Sequence, residues 1–202
     1  MDHLWVELLR LEEYLRTGGV IMFPLVVVSL LMWILIIDRI LFLRRLHRKN
    51  MGATAAWEHV KDDTMPDPKQ YRGAVSLLVA RFLQKRSHNQ ALDRSILDEV
   101  VLSLNYSLDD YLQVIGVLAA IAPLLGLLGT VLGMIDTFDI LAVFGTGNAK
   151  GMAGGISEAL ITTQTGLLVS IPGLYMKGFL DRRAKNLKQR IARVGYYLRQ
   201  RI

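Results

Sequence analysis

Three stretches of the chain contain no Asp, Glu, Lys or Arg, and they divide the sequence into apolar and polar parts. They cover residues 17–37, 113–135 and 159–176. An α-helix rises about 1.5 Å per residue, so a membrane-crossing helix needs roughly 17 to 25 residues. All three stretches meet this requirement, the third with the least margin. The pattern predicts an all-α membrane protein with three transmembrane helices, over 18–37, 114–135 and 158–176.

Two apolar stripes with the three-to-four-residue period of a helix flank these stretches. One precedes the second stretch with no helix breaker between them, so we expect one long helix that starts in the cytoplasm and runs through the membrane. Its members are Leu92, Ile96, Val100, Leu104, Leu108, Leu112 and Ile115. The other continues from the third stretch as Leu180, Ala184, Leu187, Ile191, Val194 and Leu198. We expect this tail to pack on the 92–112 helix or on a neighbouring subunit, because the stripe cannot bury itself.

Shorter patterns lie in the remaining polar segments. The pattern of residues 1–17 predicts an amphipathic helix that lies on the outer face of the membrane that the chain spans. A bend at Gly18 and Gly19 separates it from the first span. A plain extension of the first span is the alternative. Further along, we expect a short helix over 53–61 and a turn over 65–69.

Lys and Arg are distributed unevenly among the connecting segments, and this asymmetry predicts the orientation. Segment 38–113 holds 12 of them and segment 177–202 holds 9, whereas 136–158 holds only Lys150. Positive residues near a membrane mark its cytoplasmic side. We therefore expect the N-terminus outside and the C-terminus inside. Residues 38–113 would form a cytoplasmic helical segment, 136–157 a periplasmic loop, and 177–202 a cytoplasmic helical tail.

The composition argues against catalysis and for a membrane protein. Hydrophobic residues make up 52% of the chain, and the mean hydropathy is +0.33. There is no cysteine, and the four histidines are scattered outside the apolar stretches. Since no catalytic triad, phosphate-binding loop or metal-ligand cluster is present, we expect no enzyme activity, cofactor or metal. The net charge of +6 follows from the topology, and the amphipathic tail favours packing over nucleic-acid binding.

The second apolar stretch holds residues that a simple anchor does not need. Gly126, Gly129 and Gly133 allow another helix to approach closely, and the last two form a GxxxG pair. Pro123, like Pro172 in the third stretch, is assigned to the same packing role, because membrane helices tolerate proline where neighbours satisfy the backbone. Thr130 lies between the glycines. It either faces a pore or bonds its own backbone, and its position leaves both alternatives open.

The third apolar stretch is polar on more than one face. Residues 162–165 are Thr-Thr-Gln-Thr, and Ser170 lies seven residues after Thr163 on the same face. Unpaired polar groups are costly in hydrocarbon, so some of these side chains must face protein or water. Glu158, at the outer end, is either a polar vestibule residue or partner contact, or a charge that compensates the helix dipole. This stretch is therefore expected to be an interior helix.

No ionisable side chain lies inside the three apolar stretches. Proton relays generally use ionisable groups, so a pore wall of hydroxyls alone does not easily carry protons. We expect the chain to borrow a carboxylate from a partner helix. The candidate pore-lining residues of this chain are Thr130, Thr163, Ser170 and Glu158.

Four motifs, one or more in each span, carry a resemblance to a known family. They are GGVIMFPL at 18–25 with Ser29, Trp33 and Asp38-Arg39, APLLGLLGTVLG at 122–133, GGISEAL at 154–160, and TGLLVSIP at 165–172. Together they resemble the MotA/TolQ/ExbB proton-channel family, most closely its short ExbB/TolQ type. Segment 40–90 contributes little to the match. By position, Thr130 and Thr163 match the family's pore threonines, and Glu158 matches its acidic residue at the start of the third helix. The chain departs from the pattern in having additional polar residues around Thr163.

The resemblance implies a homopentamer in the bacterial inner membrane, with the second and third helices lining a central pore and the first helix outside, among membrane lipids. It implies a dimer of ExbD- or TolR-like single-span partners inside the pore that supplies the proton-binding Asp, and a TonB- or TolA-like protein across the periplasm. The expected function is a motor driven by the proton-motive force that energises TonB-dependent transport. The alternatives are a TolQ-like subunit of the Tol-Pal envelope system or another stator, and, in a different class, a passive membrane scaffold.

Overall fold

The computed structural model describes residues 14–47, 51–67, 71 and 73–202, and every regular element in these ranges is helical. We number the helices α1 to α6. They are α1 (Gly19–His47), α2 (Ala53–Lys61), α3 (Ala74–Lys85), α4 (Gln90–Asp109), α5 (Leu112–Phe144) and α6 (Ala149–Arg199), with a 3-10 turn over Gly145–Gly147. Residues 14–17 are also helical.

Three helical stretches in the described part of the chain are long and apolar enough to cross a membrane. They are Gly19–His47, Gln90–Gly147 and Ala149–Arg199. The prediction of an all-α chain with three helices of spanning length is confirmed at this level. The orientation and the extension of the second and third spans into the cytoplasm stay predictions.

The chain folds as two compact units. The first, here called the apolar unit, combines residues 14–36 with 114–177. The second, called the charged unit, combines residues 37–113 with 178–202, of which 48–50, 68–70 and 72 lie outside the described residues.

The apolar unit begins with the bend that the sequence predicts. Gly18 forms a turn, its amide bonding the carbonyl of Tyr14 at 3.2 Å, and Gly19 has φ +60°. This left-handed conformation suits glycine because a Cβ would meet the adjacent carbonyl. Most of the interfacial helix expected over 1–17 lies outside the described residues, which start at Tyr14.

The segment expected to be a loop over 136–157 is largely helical. Helix α5 continues to Phe144, and α6 begins at Ala149. Gly145, with φ +60°, turns the chain. The side chain of Asn148 then accepts a hydrogen bond from the amide of Gly151 at 3.0 Å and caps the start of α6. The periplasmic location of this segment stays a prediction.

In the charged unit, the C-terminal part of α6 packs on α4, which confirms the first of the two partners expected for the tail. All six residues of the tail stripe are buried. A Cβ on Gly195 would lie 2.8 Å from the side chain of Val101, so this side chain packs on the backbone of α6 there. Arg199 pairs with Asp98 of α4 at 3.6 Å. Helix α6 runs without interruption through the whole of its range, as the lack of a stop signal predicts.

The prediction of one uninterrupted helix from residue 91 through the second span is wrong. Helix α4 ends at Asp109 and α5 starts at Leu112, and between them Tyr111 has φ +59°. Arg39 stabilises the break: its guanidinium stacks 4.7 Å from the Tyr111 ring and donates to the carbonyl of Ser107 at 3.2 Å. That carbonyl lies in the last turn of α4, where no amide of the helix can reach it.

Two short helices complete the charged unit. Helix α2 has the range predicted for it, whereas α3 was not predicted. Arg86 connects them to α4: it donates to the carbonyl of Val60 at 2.8 Å and pairs with Asp63 at 3.1 Å and Asp93 at 3.5 Å. Asp93 is 2% exposed and also accepts a bond from the amide of Ser87 at 2.8 Å.

Candidate functional site

Helices α5 and α6 approach each other along a seam of small residues in the apolar unit. The contacts are so close that a Cβ on Gly126 would lie 2.9 Å from the carbonyl oxygen of Thr162, and one on Gly166 would lie 2.6 Å from that of Ala122. The seam consists of Ala119, Ala122, Gly126, Gly129, Gly133 and Thr137 on α5, and of Gly155, Ala159, Thr162, Gly166 and Gly173 on α6. Such spacing places each set on one helix face, and small side chains let membrane helices pack backbone to backbone.

Two threonines in the seam are buried and bond their own helix. Thr162 is 0% exposed, and its hydroxyl lies 2.9 Å from the carbonyl of Glu158 and 3.0 Å from that of Ala159. Thr137 is 5% exposed, and its hydroxyl donates to the carbonyl of Gly133 at 2.8 Å. These hydroxyls fill space between the helices while satisfying their donors locally.

The two prolines lie inside α5 and α6 without ending either helix. Each lacks the amide that an α-helix uses, so each leaves one carbonyl a turn earlier without its usual donor. For Pro123 that carbonyl belongs to Ala119. Near this level, Ala119 and Met32 of α1 both lie against Gly173 of α6, so all three apolar helices meet there.

Thr130 and Thr163 border the seam and are both partly exposed. The hydroxyl of Thr130 donates to the carbonyl of Leu127 at 2.6 Å. The hydroxyl of Thr163 lies 3.0 Å from the carbonyl of Ala159 on its own helix and 3.3 Å from that of Gly126 on α5. Because one hydroxyl has one hydrogen, Thr163 can alternate between these acceptors. The Gly126 carbonyl is also the one that helix geometry assigns to the amide of Thr130, so it lies next to both threonines.

The remaining polar residues of the third span lie on different sides of α6. Ser170 is 3% exposed, so the chain itself covers this side chain, and its role in a pore stays a prediction. Gln164 is exposed. Thr165 lies 2.9 Å from the hydroxyl of Tyr14, a contact that the sequence gave no reason to expect.

Glu158 lies one turn before Thr162 and faces the start of α1. Its carboxylate contacts Gly19 closely enough to occupy the space that a Cβ there would take. The first turn of α1 contains no acidic residue of its own, and a carboxylate near a helix N-terminus is stabilised by the helix dipole. Glu158 therefore places a negative charge at the start of α1. The sequence left open whether this residue compensates the dipole of its own helix or faces a vestibule or a partner; because α6 begins at Ala149, Glu158 lies in the third turn of α6 and not at its start.

The described side chains of the site are polar but form no cluster of metal-binding groups. In the described ranges, no group of three or more His, Cys, Asp and Glu side chains could hold a metal ion. The arrangement offers hydroxyls and backbone carbonyls beside a tightly packed wall, with one carboxylate at its end.

Comparison with known proteins identifies the family of the chain. A model of the MotA/TolQ/ExbB proton channel family matches residues 70–193, which is more than half of the chain. The chain belongs to this family. It is therefore a membrane protein of a proton-channel and transport family, and not of an enzyme class.

Relatives within the MotA/TolQ/ExbB family include proteins named for biopolymer transport. The putative biopolymer transport protein ExbB-like 1 of Synechocystis sp. is 34% identical over 172 residues, covering 80% of this chain and 66% of the relative. ExbB-like 3 of the same organism is 33% identical over 78% of each chain. The biopolymer transport protein ExbB of Neisseria gonorrhoeae is 27% identical over 96% of this chain and 97% of its own length.

Proposed function

We propose that this chain is the pentameric subunit of an inner-membrane motor driven by the proton-motive force, with its N-terminus outside and its C-terminus inside. An ExbD-like single-span dimer inside the pore supplies the proton-binding carboxylate. The complex energises TonB-dependent transport across the outer membrane. Thr130, Thr163 and Glu158 lie along the pathway, and α1 faces lipid, which agrees with its exposed apolar side chains.

The geometry of Thr163 carries this proposal. Its hydroxyl can bond either its own helix or the Gly126 carbonyl beside Thr130, so it can reorient without leaving a donor unsatisfied. A hydroxyl of this kind holds water or a transient hydrogen bond next to a partner carboxylate and does not trap the proton in an ion pair. One proton moving through 100 mV releases about 2.3 kcal/mol, which is the energy available to the motor.

Two alternative functions can be distinguished by experiment. A TolQ-like subunit of the Tol-Pal system, or another stator, would use the same pathway with a different downstream protein. Co-purification with an ExbD-, TolR- or MotB-like partner distinguishes these branches. A passive scaffold would form no proton pathway with any of them.

The test measures proton uptake into proteoliposomes that contain this chain and its single-span partner, under an imposed membrane potential. We expect Thr130→Val with Thr163→Val to reduce partner-dependent flux about tenfold or more. Thr137→Val is the matched control, because its hydroxyl is bonded to its own helix and buried in the seam. Normal flux in the double variant, in complexes of unchanged stoichiometry, would refute the pathway. A chain that purifies as a stable monomer would refute the pentamer.

A further inference from the structure

Residues 14–19 contact one face of α6 at three successive points. The hydroxyl of Tyr14 lies 2.9 Å from that of Thr165. A Cβ on Gly18 would lie 3.5 Å from the side chain of Ile161. The carboxylate of Glu158 lies against Gly19. The α6 residues are spaced by three and four positions, so they line one side of the helix.

The contact at Gly19 depends on the absence of a side chain there. Its φ of +60° disfavours any residue with a Cβ. The position that such a Cβ would take is occupied by Oε1 of Glu158, and Oε2 lies 3.2 Å from that position. The carboxylate therefore lies directly on the backbone at the start of α1. Any side chain at this position would displace it.

The contact at Tyr14 fixes the other end of the segment. The hydroxyl of Thr165 donates to the carbonyl of Ile161 at 2.7 Å, so its single hydrogen is already used. Tyr14 is then the donor and Thr165 the acceptor in the bond between them. This bond explains why Thr165 is polar, although its side chain does not face α5.

We propose that residues 14–19 form a strap that positions the carboxylate of Glu158, with Gly19 as the positioning residue and Tyr14 as the anchor. The proposal rests on the proposed function in one respect, namely that Glu158 belongs to the proton pathway. The strap holds this carboxylate in the third turn of α6 and limits the directions it can take.

The test compares Gly19→Ala with Gly145→Ala. Gly145 has the same φ of +60°, but a Cβ there would meet nothing within 4 Å. Both variants carry the same backbone strain, and only the first displaces Glu158. We expect Gly19→Ala to lower partner-dependent proton flux about tenfold to a hundredfold, as small misplacements of functional groups do, and Gly145→Ala to leave it within about twofold.

A second measurement reports the position of Glu158 without relying on flux. A hydrophobic carbodiimide labels carboxyl groups, and mass spectrometry of the complex gives the labelling rate at Glu158. We expect Gly19→Ala to raise this rate and Gly145→Ala to leave it unchanged. Asp is one methylene shorter than Glu, so the methyl group added by Gly19→Ala has room beside Asp at position 158. We therefore expect Gly19→Ala to change flux and labelling very little when it is introduced into the Glu158→Asp variant. Tyr14→Phe should raise labelling to a smaller extent.

The outcomes separate the two ideas. Unchanged labelling in Gly19→Ala, or equal losses of flux in Gly19→Ala and Gly145→Ala, would overturn the strap. If Glu158→Gln loses flux while Gly19→Ala behaves as wild type, the pathway stands and the strap fails. If Glu158→Gln keeps full flux, Glu158 does not take part in proton transfer. The strap would then have no effect on proton flux, even if the labelling shows that it contacts Glu158. Loss of flux, raised labelling and rescue by Glu158→Asp together support the proposal.

Discussion

Gly126→Ala is the substitution whose effect on the α5–α6 seam can be worked out most directly. The new Cβ would lie 2.9 Å from the carbonyl oxygen of Thr162 and 3.1 Å from the Cα of Thr163, whereas ordinary contact begins at 3.4 Å. Both neighbours are backbone atoms, so no side chain can rotate away. The helices must therefore separate by about half an ångström at this level.

The expected cost has two parts. Overpacking a close contact costs about 1–3 kcal/mol, and replacing glycine by alanine in a helix returns up to about 1 kcal/mol. The separation also stretches the bond between the Thr163 hydroxyl and the Gly126 carbonyl, which is already 3.3 Å long, beyond hydrogen-bonding range. A hydrogen bond between membrane helices contributes about 0.6 kcal/mol on average. We expect a net loss of about 1–2 kcal/mol in the free energy of unfolding.

The assay is reversible unfolding of the full chain in mixed detergent micelles, followed by far-UV circular dichroism. Gly154→Ala is the matched control, because it is also a glycine-to-alanine change in a long helix but its Cβ would meet nothing within 4 Å. We expect the control to be neutral or slightly stabilised. If the two variants unfolded at the same detergent ratio, the backbone contact inferred for the seam would be wrong.

The charged unit supports two further predictions, both measured by thermal unfolding of the full chain in micelles. Asp93→Ala should lose about 3 kcal/mol, because it leaves Arg86 without its buried partner, whereas Glu99→Gln, which removes an exposed ion pair, should lose less than about 1 kcal/mol. Equal losses would contradict the structural role of Asp93. Arg39→Lys should lose about 1–2 kcal/mol, because lysine keeps the charge but lacks the planar guanidinium that stacks on Tyr111 and donates to the carbonyl of Ser107. Wild-type stability of this variant would show that the positive charge alone is sufficient.

The sequence contains enough information for the spans but not for every boundary. Helix α3 could have been found, since Val75, Leu78, Val79 and Phe82 have helical spacing and are all buried. The break at Tyr111 was not visible, because the apolar stripe continues on both sides and a left-handed tyrosine has no local signature. The break is contacted by Arg39, which lies far away in the chain.

The sequence predicted one side of the small-residue seam but not the other. The glycines of α5 were recognised as packing residues, and their partners Gly155 and Gly166 have the matching spacing on α6. The contact between Gly19 and Glu158 joins residues from different helices, so no periodicity within either helix could reveal it. A pairing of this kind is fixed by the arrangement of the helices and not by local preference.

The structure explains why the third span has more polar residues than the family pattern, and the explanation concerns the proposed pathway. Thr162 fills the seam and is fully buried, and Thr165 accepts a bond from Tyr14. Gln164 is exposed on its own side of the helix. Of residues 162–165, only Thr163 is partly exposed and also bonds the helix that carries Thr130. The additional hydroxyls thus stabilise helix contacts on either side of Thr163. In the proposed pathway, this leaves Thr130 and Thr163 as the partly exposed hydroxyls that border the seam, and we propose that a carboxylate from another chain completes it.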